Sequence, residues 1–446
     1  MLKEIRPEQT RNREIAIRDA AFPAPFANGL EFNSPAHGTW NIVHTGMLVP
    51  EAQQIYVCAK NCMRGVVLTA VEMEEQERFS FVILDEEDMI AGKLEDVTIE
   101  GTAACIRKLK RRPPVVLLFT VCVHQFLGCD LDYIYRKLEE EFPDICFVRC
   151  FMDCLFQKKG PTPDQKLRLS MYDPIRPLPV KEKQVSLVGS DLPLEETSDL
   201  KRLVRRAGGH LLEISRLSDY AEFLSLGESE MFVTTYPSGK PGGEHLAERI
   251  GRHFLYLPMS FSYEEIAEEW RQLAKVLSLP ASGEELEEEI KRETETCEQR
   301  IRETFSLIGR TPVFVDYTFH PRPLGLCRLL LEHGFAVEGV FLDSILQEEK
   351  EDFLWIREHF PGFRLLATVN PECRVLERNR RDVLAIGQKA AWFTGTSHFV
   401  NVVQGGGLFG FDGIQKTMDL MEEAFREPKD TRTLVIRKGW GCESCI

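Results

Sequence analysis

The sequence has no G-x-x-x-x-G-K-[ST] stretch, so no P-loop is present to cradle a nucleoside triphosphate through its backbone N–H groups. No G-x-G-x-x-G opens a helix after the first strand either, which argues against a dinucleotide dehydrogenase; Gly405-Gly406-Gly407 reads as a loop. Positive charge is also in deficit. With 55 basic against 70 acidic residues the formal net charge is −15, and nucleic acid or an anionic lipid surface would be repelled over most of the protein. No uninterrupted apolar run reaches the length of a membrane span, and the first residues mix charges without an apolar signal core, so a cytoplasmic protein with no membrane association is expected.

Cysteine is what the chain does have. Thirteen in an acidic chain of 446 residues without a secretion signal favour metal or redox chemistry over a disulfide framework. Their positions decide how many count, because a free cysteine is commonly a small buried hydrophobe.

Short apolar runs alternate with amphipathic stretches almost throughout, the pattern of parallel strands covered by helices, so the expected class is α/β with Rossmann-like units. Strands are expected at 54–58, 79–84, 115–121 and 145–149, with helices at 97–109 and 130–141 and Asp130 as an N-cap. The proline-rich YDPIRPLP interrupts this rhythm. A second series follows, with strands at 185–189, 210–214, 231–235 and 254–257, and then a charged helix at 283–304. A third opens with a strand at 313–317 and continues with a helix at 324–332 and strands at 337–342 and 364–368. The expected domains are 1–178, 179–305 and 306–446.

In open parallel sheets ligands bind beyond the carboxyl ends of the strands. Cys58, Cys122 and Cys150 close predicted strands there, and Cys62, Cys129 and Cys154 follow in the adjoining turns. Thiolates from distant parts of the chain can converge on a cluster only from such loops. Cys105, Cys146, Cys297 and Cys327 fall inside predicted elements and read as core, and Cys373 has no special case. Cys442 and Cys445 form a single C-x₂-C pair that could chelate a metal, form a redox disulfide or serve no function.

The stretch FSFVILDEEDMIAGKLEDVTIEG, followed by VVLLFTVCVHQFLGCDLDYI and FVRC, resembles the nitrogenase component 1 superfamily. Glu87, Gly92, Cys122, Gly128 and Asp130 fall in that superfamily's order, Cys62 looks like its second cluster cysteine, and GLFGFDGI looks like its turn opening a C-terminal helix. His398 is similar in place to a histidine that ligates the metallocluster of true nitrogenases. The resemblance implies three α/β domains, an iron–sulfur cluster of [4Fe–4S] type, and association with a second copy or a component 1 paralogue. It also implies electrons from a nitrogenase-reductase-like ATPase, with substrate bound between the domains. Cys58, Cys62 and Cys122 would hold the cluster, with Cys129 or a partner residue completing it.

Two departures accompany this resemblance. No cysteine stands near Ala36 and His37, where the family's first cluster ligand is expected, so His37 or Cys58 would have to replace it. Thr234, Thr235 and Tyr236 stand where a cofactor-anchoring cysteine is expected, which argues against dinitrogen reduction. The function implied is a nitrogenase-like reductase subunit acting on an unidentified substrate, for which His398 would be a catalytic group. The alternative is an iron–sulfur cofactor assembly scaffold or carrier.

Overall fold

The computed structural model describes residues 13–26, 41–152, 160–278, 283–368, 370 and 382–430. They form three mainly parallel sheets distributed over two compact units. Ala36, His37, Cys154, Cys373, Cys442 and Cys445 lie outside the described residues.

The first unit, Asn33–Pro193 with Gly209–Leu257, contains two four-stranded parallel sheets. One has the spatial order Phe79–Ile83, Gln53–Cys58, Val115–Val121, Cys146–Met152. The other has the order His210–Glu213, Gln184–Leu187, Met231–Thr234, His253–Tyr256. In both, the chain places its second strand on one side of the first and its third on the other. The connections therefore diverge between the first and third strands, creating a crevice at their carboxyl ends.

Val115–Val121 is buried along its whole length, and its apolar VVLLFTV run is what a central parallel strand covered on both faces requires. Tyr56 and Phe119 stack across neighbouring strands with centroids 4.2 Å apart. Asp130 caps the helix Leu131–Glu141 by accepting the Tyr133 N–H at 2.9 Å, and Thr162 with Gln165 makes a capping box for Pro163–Ser170. One apolar cluster, from Tyr56 and Phe119 to Phe232 and Leu246, runs through both sheets. The proline-rich link is tied down within this unit: Arg249 donates to the carbonyls of Tyr172 and Ile175.

The second unit comprises Met1–Phe32, Leu194–Gly208 and Pro258–Ile446. Its sheet runs Glu14–Ala16, Arg364–Leu366, Val337–Phe341, Val313–Asp316, Leu384–Ile386, Phe399–Val400, and only the first of these is antiparallel. That N-terminal edge strand is a difference from the sequence reading, and an ion pair between Arg364 and Glu14 ties it to its neighbour. The charged helix extends over Gly283–Ile308 and buries Leu286, Ile290, Cys297, Ile301 and Ile308 along one stripe that packs on the helix Gly410–Arg426. No helix among the described residues is long and apolar enough to cross a membrane.

In the two-sheet unit the helices Pro163–Ser170 and Lys240–Ile250 cross in close contact because Gly242 has no side chain. A Cβ there would stand 2.5 Å from the Arg168 carbonyl oxygen. Gly242→Ala is therefore expected to cost about 1–3 kcal/mol by overpacking, measured as a lower urea midpoint; an unchanged midpoint would mean that the two helices are free to separate.

Candidate functional site

The divergence crevice of the first sheet lies between Gln53–Cys58 and Val115–Val121, which pair in parallel from Gln53↔Val116 to Tyr56↔Phe119. Cys58 is the last residue of one strand, and Cys122 immediately follows the other. Two thiol-bearing residues thus flank the position where this fold class gathers ligands. Cys62 sits in the first turn of the helix Lys60–Glu72 and is exposed; Cys129 follows Gly128 in the turn before Leu131–Glu141.

Burial and the neighbouring Cys62 push the Cys58 thiol up to about 12, and burial with the Glu95 carboxylate pushes Cys129 up to about 11. Such thiols lose their protons to a metal, not to bulk water at neutral pH. Among the described residues no three His, Cys, Asp or Glu side chains stand together as a metal-holding group. Soft thiol donors at one sheet edge suit an iron–sulfur group by their chemistry, but as described they are not gathered into a ligand set, which an incoming cluster would have to draw together and complete from elsewhere.

His124 is a buried part of this edge that the sequence reading missed. Its Nδ1 accepts the Val121 N–H at 3.2 Å, while Nε2 lies 3.1 Å from Thr98 Oγ1, whose own proton goes to the Leu94 carbonyl. That pattern places the ring proton on Nε2. Burial lowers the imidazole to about 4, so it stays neutral and braces the turn carrying Cys122. The histidine two residues after a strand-end cysteine was the available signal.

Cys150 does not lie at the edge. The strand Cys146–Met152 pairs with Val115–Val121 over seven residues, and Cys150 faces Phe119, two positions before the strand end. It is buried, and burial pushes its thiol far up. Cys122, expected to close a strand, instead opens the short helix Cys122–Phe126, and Cys62 is helical where a loop was expected. His398 precedes the edge strand Phe399–Val400 in the second unit, and its Nδ1 donates to the Ala424 carbonyl at 2.9 Å.

The other two divergence crevices are closed. In the second sheet Gly189 and Gly239 meet backbone to backbone, and a Cβ on Gly239 would lie 2.5 Å from Gly189 Cα. Below them a polar group joins four segments: fully buried Arg168 pairs with Asp164 and Asp191, Asn41 donates to Asp191, Thr45 to Asp164, and Ser238 also to Asp164. Thr235 is buried at this edge. In the third sheet the Asp316 carboxylate accepts the N–H groups of Thr318 and Ala390 at 2.6 Å each, filling the crevice with the protein's own anion.

The family model for nitrogenase component 1 type oxidoreductases matches residues 52–426. The chain belongs to the nitrogenase component 1 type oxidoreductase family. Members of that family hold iron–sulfur clusters. Solved structures of nitrogenase Cp1 share the fold. One, at pH 6.5, has a TM-score of 0.64 at 10% identity, covering 94% of this chain and 96% of that one. Another, at pH 5, has a TM-score of 0.60 at 10% identity, covering 94% of each. No curated protein matches the sequence.

Exposure and burial separate the thiols sharply. Native protein treated with a small alkylating reagent should modify Cys62 on the order of a hundredfold faster than Cys150 or Cys327, which should react only on unfolding. Peptide mapping by mass spectrometry reads this out, and equal rates at Cys62 and Cys150 would contradict the strand register.

Proposed function

We propose that this chain is the iron–sulfur subunit of a nitrogenase-like reductase complex, holding a [4Fe–4S] cluster through Cys58, Cys62 and Cys122. Cys129 or a partner residue completes the ligand set. The observation that carries this reading is the pair of cysteines at the carboxyl ends of the two strands that flank the first sheet's divergence crevice, in a chain whose residues 52–426 match the component 1 family. When bound, the cluster would supply one-electron storage. The chain's own part is to hold and tune it: Cys58 from a dry position, Cys62 from the surface, and Cys122 from a turn fixed by neutral His124.

An incomplete ligand set calls for a partner. Ile90, Phe126 and Leu127 are 86%, 60% and 55% exposed, and a bond from the Asp130 N–H to Glu95 draws the turn 126–130 toward the start of the helix Leu94–Lys108, just beyond Ile90. Exposed apolar side chains on this side of the sheet suit a second copy or a component 1 paralogue better than water. An ATP-dependent reductase of the nitrogenase-reductase type would supply electrons, since this chain carries no P-loop of its own. The substrate would be organic, with His398 a group available to it, because Thr235 offers no thiolate for a second metallocluster.

Anaerobic reconstitution with iron and sulfide should yield a chain carrying both. Cys122→Ala is expected to lose most of the cluster absorbance and Cys297→Ala to keep it, because Cys297 is buried against the Phe411 carbonyl. Equal losses would remove the ligand assignment, and absence of iron in the wild type would remove the reading. Because ligation releases thiol protons, loading should become more complete as pH rises from neutral toward 9. A cluster that stays bound while it is reduced and reoxidised supports the reductase; one surrendered to an acceptor protein indicates an assembly scaffold.

A further inference from the structure

The second unit buries a carboxyl group that has no hydrogen-bonding partner among the described residues. Glu269 lies on the helix Tyr263–Val276, one turn beyond Glu265 on the same face. Its side chain is buried, and neither carboxyl oxygen meets a donor from the described residues. The groups that act on it are Arg322, Glu265 and Asp199. Arg322 is already committed: it donates to Glu265 at 2.6 and 3.2 Å and to the carbonyls of Met259 and Glu348, and it lies 3.6 Å from Asp352. Glu349, Asp352, Arg328 and His320 surround that pair. An ionised Glu269 would be a buried anion without a donor, a state far costlier than the neutral acid.

Asp199, itself fully buried, stands between this interior and a surface groove. It accepts the Phe411 N–H at 2.7 Å, Arg202 at 3.1 Å and the indole N–H of Trp270, the residue next to Glu269, at 3.3 Å. It therefore fills the N-terminus of the helix Gly410–Arg426 behind the GGGLFG stretch 405–410, leaving no place there for a phosphate. Its other side lines a surface groove of about 510 Å³ with Arg202, Glu293 and Asp412. Burial pushes the Asp199 carboxyl up to about 7, and burial pushes Glu269 well above the usual carboxylate range.

We propose that Glu269 holds a proton in the resting protein and exchanges it with the surface groove through Asp199, the two carboxyls being joined by internal water. Two orphaned oxygens of Glu269 and the orphaned Nε of Arg322 supply the polar partners that buried water needs. Each exchange moves protons and no electrons: Glu269 passes its proton through the internal water to the Asp199 carboxylate and is briefly a carboxylate near Arg322, Asp199 hands that proton to groove water, and a proton from the groove returns by the same route. A reduction that takes up electrons must take up protons as well. The use of this store in catalysis rests on the reductase reading, whereas the protonation itself does not.

Infrared spectroscopy of the purified chain, which requires no cluster, tests the proposal. At neutral pH the spectrum should contain the C=O stretch of a buried protonated carboxylic acid that Glu269→Gln abolishes. In Asp199→Asn its shift on transfer to D₂O should slow by roughly tenfold or more. Should Glu269→Gln fail to fold, Glu269→Asp serves instead, and the band should move. A wild-type spectrum without such a band, a band indifferent to the residue at 269, or exchange unchanged in Asp199→Asn would each overturn the proposal. Loss of iron binding with the band intact would overturn the reductase reading alone.

Discussion

A parallel sheet covered on both faces can offer chemistry only at the ends of its strands, and the strand order decides which end is open. Every connection returns over a face, so only where successive connections leave in opposite directions does a gap remain at the carboxyl edge. All three sheets obey this rule, and the chain treats the three gaps differently. Glycine backbones close one, the Asp316 carboxylate fills another, and the first has Cys58 and Cys122 at its rim. The location of the candidate cluster site follows from topology, and its chemistry from which residues the chain places there.

The closed gaps are held by buried charge. Arg168 is wholly desolvated, and burial raises Asp191 against the pull of that guanidinium, so the group is stable only while every member keeps its partners. In the second unit the buried Arg322 is likewise held by an acidic partner, Glu265, whose own side chain is 39% exposed. Such groups contribute little net stability compared with an apolar core, but they join segments far apart in sequence: Asn41 to Asp191 across 150 positions and Asp199 to Phe411 across 212. Glu269 differs from them because its oxygens have no hydrogen-bonding partner among the described residues.

Much of the fold was legible in the sequence because parallel strands announce themselves as short apolar runs. VVLLFTV marks the strand Val115–Val121 without error, and Asp130 marks the start of a helix. The strand expected at 145–149 extends to Met152 because its register is set by the seven residues of its neighbour, which no local pattern encodes; this is why Cys150 was placed too near the edge. Cys62 was read as a loop residue because Ala59, which precedes its helix, provides no capping side chain. Glu14–Ala16 is three residues long and gains its identity as a strand only from Arg364–Leu366. Arg168, Asp199 and Glu269 were not read at all, since a charged residue on an amphipathic helix looks solvated until the partner segment that buries it is known.

The proposed function depends on iron at the carboxyl edge of the first sheet. Anomalous diffraction at the iron edge, from crystals of anaerobically reconstituted protein, tests it most directly. Iron density is expected at the carboxyl edge of the first sheet, bonded to the sulfurs of Cys58, Cys62 and Cys122. Iron bound only by Cys442 and Cys445, or only beside His398, would contradict it.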